Sequence, residues 1–523
     1  MVQPSVTLRA TRWLIVLVGG ALIVLAAVAG AGSRTATLRQ LVVDTLAERL
    51  DSEVELASFS VDTFPAVHVT GGGLVIRHKR RRDVPPLVTV QSFSLDGGVI
   101  GLLSRPRRFR TVTMTGLQIN IPPGFKKGAS TDQPSPPRSE DHGGVAAIVV
   151  DRLVADAATL SLIPRRQGKE PRVFAVHRLV MKPLGRAQVM SFDATITNPI
   201  PRGLVKASGT FGPWQRDDPG ETALAGSYTF EGADLGTVKG ISGHLNSVGT
   251  FGGQLAHIGV KGETHTPDFQ VNVSGNPVSL DTRFDATVDG TDGDTYLNAV
   301  SASFLKTALS ARGAIVGAEG VKGRTVELQV RIDNGRIEDV LRLAVKGATP
   351  AMTGGLDLQA DMKLPAGPAD VMDRLTLLGQ FDVAGARFSN PDVQGKVSDL
   401  SERARGLDPD EHASRVASRL RGQFRMERSM LSLREVSFAL PGANVAVAGT
   451  YGLDTEALEF DGTVRMRATV SQAAGGGVKS TLLKVVDPLF RRDGAGAVLP
   501  IRIRGTRGEP KIGLDFGRAL KRK

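Results

Sequence analysis

The sequence predicts a mainly β protein, in which an N-terminal transmembrane helix precedes an elongated, curled, largely antiparallel β-sheet with a few short amphipathic helices. Three observations predict this class. Segments that alternate apolar and polar residues recur from Glu53 onward, with few helical segments between them. The 523 residues include 61 glycines, which suit the turns and bulges of a long twisted sheet. A charge-free apolar run, Trp13–Ala31, lies near the N-terminus.

The apolar run Trp13–Ala31 is flanked by Arg12 and Arg34. Because about 20 apolar helical residues cross the hydrocarbon core of a bilayer, we predict a retained single-pass anchor, with residues 1–34 forming a cytoplasmic tail and this anchor. The alternative is a cleaved signal peptide, for which Ala27-Val28-Ala29 supplies a cleavage site. Under both interpretations, the chain beyond residue 34 lies outside the cytoplasm.

The first soluble element is predicted to be an amphipathic helix over residues 35–51, because Leu38, Val42 and Leu46 recur at helical spacing. We expect it to cap the open end of the sheet that follows, within an N-terminal region of residues 35–121. In that region the alternation changes phase at Gly71-Gly72-Gly73 and again at Gly116, which indicates β-bulges.

The rest of the chain contains strands and three helical segments. Alternation predicts strands at Met190–Ile196, Val205–Phe211, Leu280–Val288, Val326–Ile332, Leu356–Leu364 and Ala457–Val470, and helical spacing favours Ile337–Val345, part of 400–421, and Val478–Phe490. The segment Pro122–Gly144 is rich in Pro, Ser and charge, which predicts a disordered loop or linker. The remaining regions are a middle β region (145–430), a C-terminal region (431–517) and a basic tail (518–523).

A twelve-residue pattern occurs twice, at 262–273 and 505–516. Both copies have Gly, then Pro five positions later, then three alternating apolar residues. This repetition indicates a sheet that grows by adding similar strand units.

The composition argues against several classes of chemistry. The chain has no cysteine, which excludes disulfides and thiolate metal sites, and it has no H-E-x-x-H, G-x-S-x-G or phosphate-loop pattern. We therefore predict that it is not an enzyme and uses no metal or cofactor. The net charge of +12 favours anionic partners, but the aromatic content of 5% without interleaved arginine argues against nucleic acid.

A sheet with one apolar face must cover that face. The pattern leaves two alternatives: stacked β-sandwiches, or an open trough whose apolar lining holds acyl chains. The candidate lining residues of such a trough are Leu280, Phe284, Val288, Leu356, Leu358, Leu458, Phe460, Val464, Met466, Ala468 and Val470.

The predicted helix Val478–Phe490 combines an apolar stripe with basic residues, which is typical of interfacial membrane helices. The candidate membrane-contact residues are Lys479, Leu482, Leu483, Lys484, Val486, Phe490, Arg491 and Arg492. The alternative is that this helix plugs the distal end of the sheet.

Several motifs carry a family resemblance. They are Leu440-Pro441-Gly442-Ala443-Asn444, Gly449-Thr450-Tyr451, Asp487–Gly496, Leu499-Pro500-Ile501, Gly505-Thr506 and Pro510, and Phe64-Pro65 after the first helix. These motifs resemble the AsmA-like family of bacterial envelope proteins. The segments Val248–Phe269 and Asp289–Tyr296 look like the middle part of that family.

The resemblance implies a fold, a location and partners. AsmA-like proteins resemble bridge-like lipid transfer proteins that are anchored in the inner membrane and project a hydrophobic β-groove into the periplasm. The resemblance therefore implies lipid transport in outer-membrane biogenesis, with phospholipids, the inner membrane, and the outer membrane or one of its proteins as partners. The alternative function is a non-transporting periplasmic scaffold that modulates the assembly or targeting of outer-membrane proteins.

Overall fold

The computed structural model describes residues 39–514 with gaps, of which the longer ones are 79–84, 99–106, 122–147, 163–171, 184–188, 406–417 and 473–495. The predicted anchor Trp13–Ala31, the linker Pro122–Gly144 and the tail 518–523 lie outside the described residues. Within the described ranges, no helix is both long and apolar enough to cross a membrane.

The described chain is mainly β and mostly antiparallel, which confirms the coarse fold-class prediction. It divides into two compact units. Unit 1 contains the described residues within 1–237, 245–263 and 286–294, and unit 2 contains the described residues within 238–244, 264–285 and 295–523. The boundary falls inside three strands: β12 His244–Gln254, β13 His257–Val271 and β14 Val278–Val288.

Unit 1 begins with helix α1, which comprises the described residues between 39 and 47. Its strands are β1 Ser52–Asp62, β2 Val67–His78, β3 Val88–Gly97, β4 Arg107–Thr115, β5 Gln118–Ile121, β6 Ile148–Leu162, β7 Arg172–Lys182, β8 Met190–Pro199, β9 Arg202–Phe211, β10 Ala223–Asp234 and most of β12, His244–Gln254. Short 3-10 turns lie at Pro219–Glu221 and Leu235–Thr237. Pairing is antiparallel from β1 to β3 and from β6 to β10, whereas β4 and β5 pair antiparallel with β3 and parallel with β6.

The core of unit 1 lies between helix α1 and the first strands. Val42 and Leu46 on α1 are buried in one cluster with Val69, Ile76 and Phe109 from the sheet. The predicted amphipathic helix is therefore confirmed for its described residues, between 39 and 47, and Val42 and Leu46 of its apolar stripe pack on the sheet as expected from their spacing.

The predicted changes of phase are present, but they are not bulges. Gly73 and Gly116 have positive φ angles of 65° and 63°, in the left-handed region that glycine adopts most easily. The β1–β2 pairing keeps one register on both sides of Gly73, from Phe59↔Gly71 to Leu56↔Leu74. No extra residue is inserted, so the pairing register is unchanged. The positive φ angle at the glycine rotates the backbone, and the buried residues after it have the opposite parity to those before it.

Unit 2 is an antiparallel meander from β15 to β25. Its strands are β11 Ile241–Ser242, parts of β13 His257–Val271 and β14 Val278–Val288, β15 Thr295–Phe304, β16 Thr307–Gly317, β17 Arg324–Arg336, β18 Met352–Leu364, β19 Thr376–Phe388, β20 Arg419–Glu427, β21 Met430–Leu440, β22 Ala443–Gly452, β23 Ala457–Met466, β24 Ala497–Thr506 and β25 Pro510–Leu514. Its helices are α2 Ile337–Ala344, α3 Val371–Arg374 and α4 Pro391–Ala404.

The helix prediction at Ile337–Val345 is confirmed to within one residue, but the prediction over 400–421 is wrong in its bounds. Helix α4 starts at Pro391, where Asn390 caps it and proline suits the first turn. It ends at Ala404, and Arg419 already begins a strand.

Two further strand predictions differ from the structure. The predicted strand Ala457–Val470 ends at Met466. The two copies of the repeated pattern also have unlike structures. Residues 262–271 of the first copy form a continuous part of β13, whereas in the second copy Pro510 follows a turn and begins β25.

Candidate functional site

The β-sheet of unit 2 has an apolar face on which side chains line up in rows across neighbouring strands. The register places one such row at Ala311, Val330, Ala360, Gly379, Phe424, Leu433, Gly449, Phe460 and Ile503. Adjacent members of a row lie opposite each other on paired strands, so their side chains are within contact distance. The face therefore runs without interruption from β16 to β24.

One end of this face is covered by helices, and we call it the closed end. Its sheet residues are buried and comprise Ile332, Leu356, Val383, Ala386, Phe438, Leu440, Ala443, Val464, Met466, Ala497 and Ile501. Apolar side chains of α2 and α4 pack against them, including Ile337, Val340, Val397 and Leu400. The aromatic rings of Phe388 and Phe438 meet edge to face here, with centroids 5.8 Å apart. The closed end is thus an ordinary protein core.

The rest of the face stays partly exposed, and we call it the open rows. Its half-buried members include Ile315, Val326, Leu328, Val330, Ala360, Met362, Leu364, Leu377, Phe424, Leu431, Leu433 and Leu458. Large apolar side chains in a finished core are normally buried. A contiguous apolar surface that remains half-exposed is typical of a binding surface.

Phenylalanine rings lie over glycines on this face. A Cβ atom placed on Gly422 would lie 3.0 Å from the Phe381 ring, and one on Gly379 would lie 2.6 Å from the Phe424 ring. The two rings have centroids 6.5 Å apart. Because each ring occupies the space that a side chain would otherwise fill above a glycine, the rings pack close to the backbone of the sheet. Sequence reasoning missed these pairs, although glycine and phenylalanine on alternating strands are a usable signal.

The structure places the predicted lining residues in different environments. Five of them are buried: Leu356, Phe460, Val464, Met466 and Ala468. Two more, Leu358 and Leu458, are half-buried on the same face. On β14, Leu280 and Phe284 are half-buried in unit 2 and Val288 is half-buried in unit 1, whereas Val470 lies outside the described residues. Met466 is only 4% exposed, so a charge there would disrupt the core and not report on a ligand. The open rows contain better probes, such as Leu328.

The opposite face of the same strands is polar. Asp382 accepts hydrogen bonds from Arg419 at 2.6 Å and from Arg421 at 2.7 Å. The bond from Arg419, followed by that from Arg421, lowers the pKa of the Asp382 carboxyl below its ordinary value. The two faces of the unit 2 sheet therefore differ sharply in chemistry.

Some predicted features cannot be placed. All the candidate membrane-contact residues, from Lys479 to Arg492, lie outside the described residues. In the part of the chain that is described, no group of three His, Asp or Glu side chains is arranged to hold a metal ion.

Comparisons with known proteins give no relative: no family model, no curated protein and no solved structure matches this chain.

Proposed function

We propose that this chain is an inner-membrane-anchored periplasmic protein of AsmA-like type that binds lipid acyl chains on the open rows and assists phospholipid transport in outer-membrane biogenesis. The observation that carries the proposal is the continuous half-buried apolar surface of unit 2. It lies beside a closed end that is fully packed by helices. The protein can therefore bury apolar side chains where a core is needed, and the open rows retain apolar surface for a ligand.

The physical basis of binding is the removal of hydrocarbon from water. Each buried methylene group contributes about 0.8 kcal/mol, so even part of an acyl chain gains substantial free energy on the open rows. Nine strands, β16 to β24, at ~4.8 Å spacing give an apolar face roughly 40 Å wide. Such a face has room for several acyl chains, with lipid headgroups remaining in water.

Movement along this face is passive in the proposed mechanism. The rows have similar side chains from strand to strand, so an acyl chain gains similar energy at successive positions. A surface without one dominant binding point lets lipid shift sideways at low cost. The motifs around Leu440–Asn444 and Asp487–Gly496 and the predicted anchor support the envelope location.

The alternative scaffold function predicts a sealed apolar face. The half-exposed side chains of the open rows favour lipid binding over that alternative. A scaffold would have to cover these side chains with a protein partner instead of lipid.

Photo-crosslinking in living cells tests the proposal with the full chain. A photoreactive amino acid replaces Leu328, which is half-buried on the apolar face, and separately Gln329, the exposed neighbour on the polar face. In cells labelled with radioactive phosphate, we expect phospholipid adducts at position 328 and none at 329. Protein adducts at 328 without lipid would support the scaffold, and equal lipid labelling at both positions would contradict a face-specific site.

A further inference from the structure

The polar face of unit 2 contains a depression that the acyl-binding proposal does not use. It has a volume of about 900 Å³ and is lined by residues of strands β15 to β21. The polar side chains of the lining point away from the open rows, because neighbouring residues of a strand alternate between faces; Val330, Ala360 and Phe424, which lie between them in sequence and belong to the open rows, also border the depression. Thus Gln329 and Arg331 line the depression, whereas Leu328 and Ile332 belong to the apolar face.

An unbroken row of amide and guanidinium groups crosses the floor of this depression. Register pairs Arg331 with Gln359, Gln359 with Gln380, Gln380 with Gln423, and Gln423 with Arg434. The Gln380 side chain donates to Gln359 at 2.9 Å. At ~4.8 Å per strand, this row is roughly 20 Å long. Three consecutive glutamines bracketed by arginines form a linear array of hydrogen-bonding groups.

The depression is also electropositive. Its lining includes Arg312, Arg331, Arg425 and Arg434, against the single carboxylate of Asp361. Arg312 donates to the neutral amide of Gln329 at 2.7 Å, and among the described residues Arg434 has no ion-pair or hydrogen-bond partner. Two guanidinium charges therefore have no carboxylate partner within the described part of the chain.

The other two arginines have weak partners. Arg331 pairs with Asp333 at 2.8 Å, and Arg425 pairs with Glu427; all four side chains are about half exposed. Exposed pairs of this kind contribute little to stability, so a ligand anion can compete for these guanidiniums.

We propose that this depression binds an acidic oligosaccharide lying across the strands. Side-chain amides both donate and accept hydrogen bonds, which matches the hydroxyl groups of sugars, and guanidinium groups bind carboxylates in a planar, two-point manner. A repeating polymer presents such groups at regular intervals, as the row does. Phe424 is the one aromatic among the described residues of the lining, and it is a half-buried member of the open rows whose ring lies over Gly379, so the depression offers stacked bases little support and nucleic acid fits it poorly.

Fluorescence anisotropy with the full-length chain in mild detergent tests the inference. The probe is a fluorescein-labelled oligogalacturonate, and the competitors are a neutral maltodextrin, polyphosphate and polyglutamate. The Arg312→Gln/Arg434→Gln and Gln359→Ala/Gln380→Ala double variants are compared with Arg465→Gln. Arg465 is an exposed arginine of the same polar face that lies outside the depression.

We expect the oligogalacturonate to bind, and each double variant to weaken binding by about tenfold or more, since bonds to charged groups and arrays of amide bonds are of that size. The control Arg465→Gln should change binding by less than about twofold. Circular dichroism confirms that each variant is folded.

Three outcomes would overturn the inference: no binding of the oligogalacturonate, equal displacement by the neutral maltodextrin, or tighter binding of polyphosphate or polyglutamate with no effect of the glutamine variants. The last result would assign the depression to general anion binding or to acidic peptide. None of these outcomes depends on lipid binding by the opposite face.

Discussion

Single side chains set the depth and the chemistry of each face in unit 2. On the apolar face, Phe381 lies over Gly422, so a bulky ring is accommodated without raising the surface. On the polar face, Asp382 lies directly opposite Asp357 on the paired strand, an arrangement of like charges that is unfavourable by itself. The arginines that donate to Asp382 offset this repulsion. Both arrangements depend on which residues the register places opposite each other.

The Phe381 ring above Gly422 leads us to expect that replacing this glycine destabilises the fold. Alanine normally suits a strand better than glycine, by roughly 0.5–1 kcal/mol. At Gly422, however, the new methyl group would meet the Phe381 ring at 3.0 Å and Val436 at 2.9 Å. We expect Gly422→Ala to lower the free energy of unfolding by about 1–3 kcal/mol, as measured by urea denaturation. The control Gly513→Ala, where the added Cβ meets no atom within 4 Å, should be neutral or stabilising.

The ion pairs of the Asp382 carboxylate should make the stability of the fold depend on pH. Hydrogen bonds from Arg419 and Arg421 lower its folded-state pKa. The contribution of this carboxylate to the free energy of unfolding is therefore complete above the unfolded-state pKa of about 3.9. It is lost as the pH falls through the lower folded-state pKa. Because solvent screens the exposed arginines, we expect Asp382→Asn to cost about 1 kcal/mol at pH 7 and less below pH 4.

Urea denaturation at pH 7 and pH 3 measures the effect of Asp382→Asn. Asp361→Asn, which removes a carboxylate of the same face without breaking a hydrogen bond to arginine, is the control. An equal loss of stability at both pH values would show that the ion pairs do not stabilise the fold.

At the scale of elements, helices decide which part of the apolar face is sealed. Helix α4 presents Val397 and Leu400 to the closed end. Ser401 on the same helix donates to the carbonyl of Pro441 at 2.9 Å, which ties α4 to the turn between β21 and β22. Helix α2 is held by Asp339, whose carboxylate accepts from Lys306 N at 3.0 Å and Thr307 Oγ1 at 2.8 Å. Both helices are thus attached to specific turns of the meander.

The cap of helix α4 provides a test at this scale. The Asn390 side chain accepts hydrogen bonds from the backbone N–H of Asp392 at 2.9 Å and of Val393 at 3.2 Å. Removing this acceptor with Asn390→Ala should lower stability by about 1 kcal/mol and reduce the melting temperature. Asn390→Asp keeps an acceptor and should stay within a few tenths of a kcal/mol. If both variants melted alike, the cap would not contribute to the fold.

At the scale of the whole molecule, both proposed binding activities depend on the chemical difference between the two faces of the unit 2 sheet. The apolar face of unit 2 has a packed end and open rows, and the polar face has charged pairs and the electropositive depression. The same charged residue introduced at two neighbouring positions of one strand, one on each face, should therefore affect lipid binding very differently.

From the proposed acyl binding, we expect phospholipid to co-purify with the full chain and Leu328→Glu to reduce its amount several-fold, because an ionised carboxylate disfavours adjacent hydrocarbon. Gln329→Glu introduces the same charge one residue along the strand on the polar face and should leave the lipid content unchanged. Phospholipid phosphorus per mole of purified protein is the measurement. Equal lipid content in both variants would contradict acyl binding on the open rows.

Much of the local structure could be predicted from the sequence, because alternation and helical spacing are local patterns. The strands at Val326–Ile332 and Leu356–Leu364 lie inside longer observed strands, and the helix at Ile337–Val345 was located to within one residue. The start of α4 was missed because the apolar residues of this helix are weakly periodic. The sequence feature that marks its start is the capping residue Asn390 followed by Pro391.

The candidate site was less predictable, because burial depends on distant segments. Leu356 and Leu358 have the same alternation in sequence, yet Leu356 is 1% exposed in the closed end and Leu358 is half-buried. Phe381 and Gly422 are 41 positions apart and meet only through the β19–β20 register.

The amino-acid sequence by itself determined which side chains share a face, because the side-chain period of a strand is two residues and needs no distant contact. The tertiary structure alone decided which of those side chains are buried and which stay partly exposed. The physical reason is that burial requires a covering element, and the positions of α2 and α4 follow from contacts with turns far away in the chain.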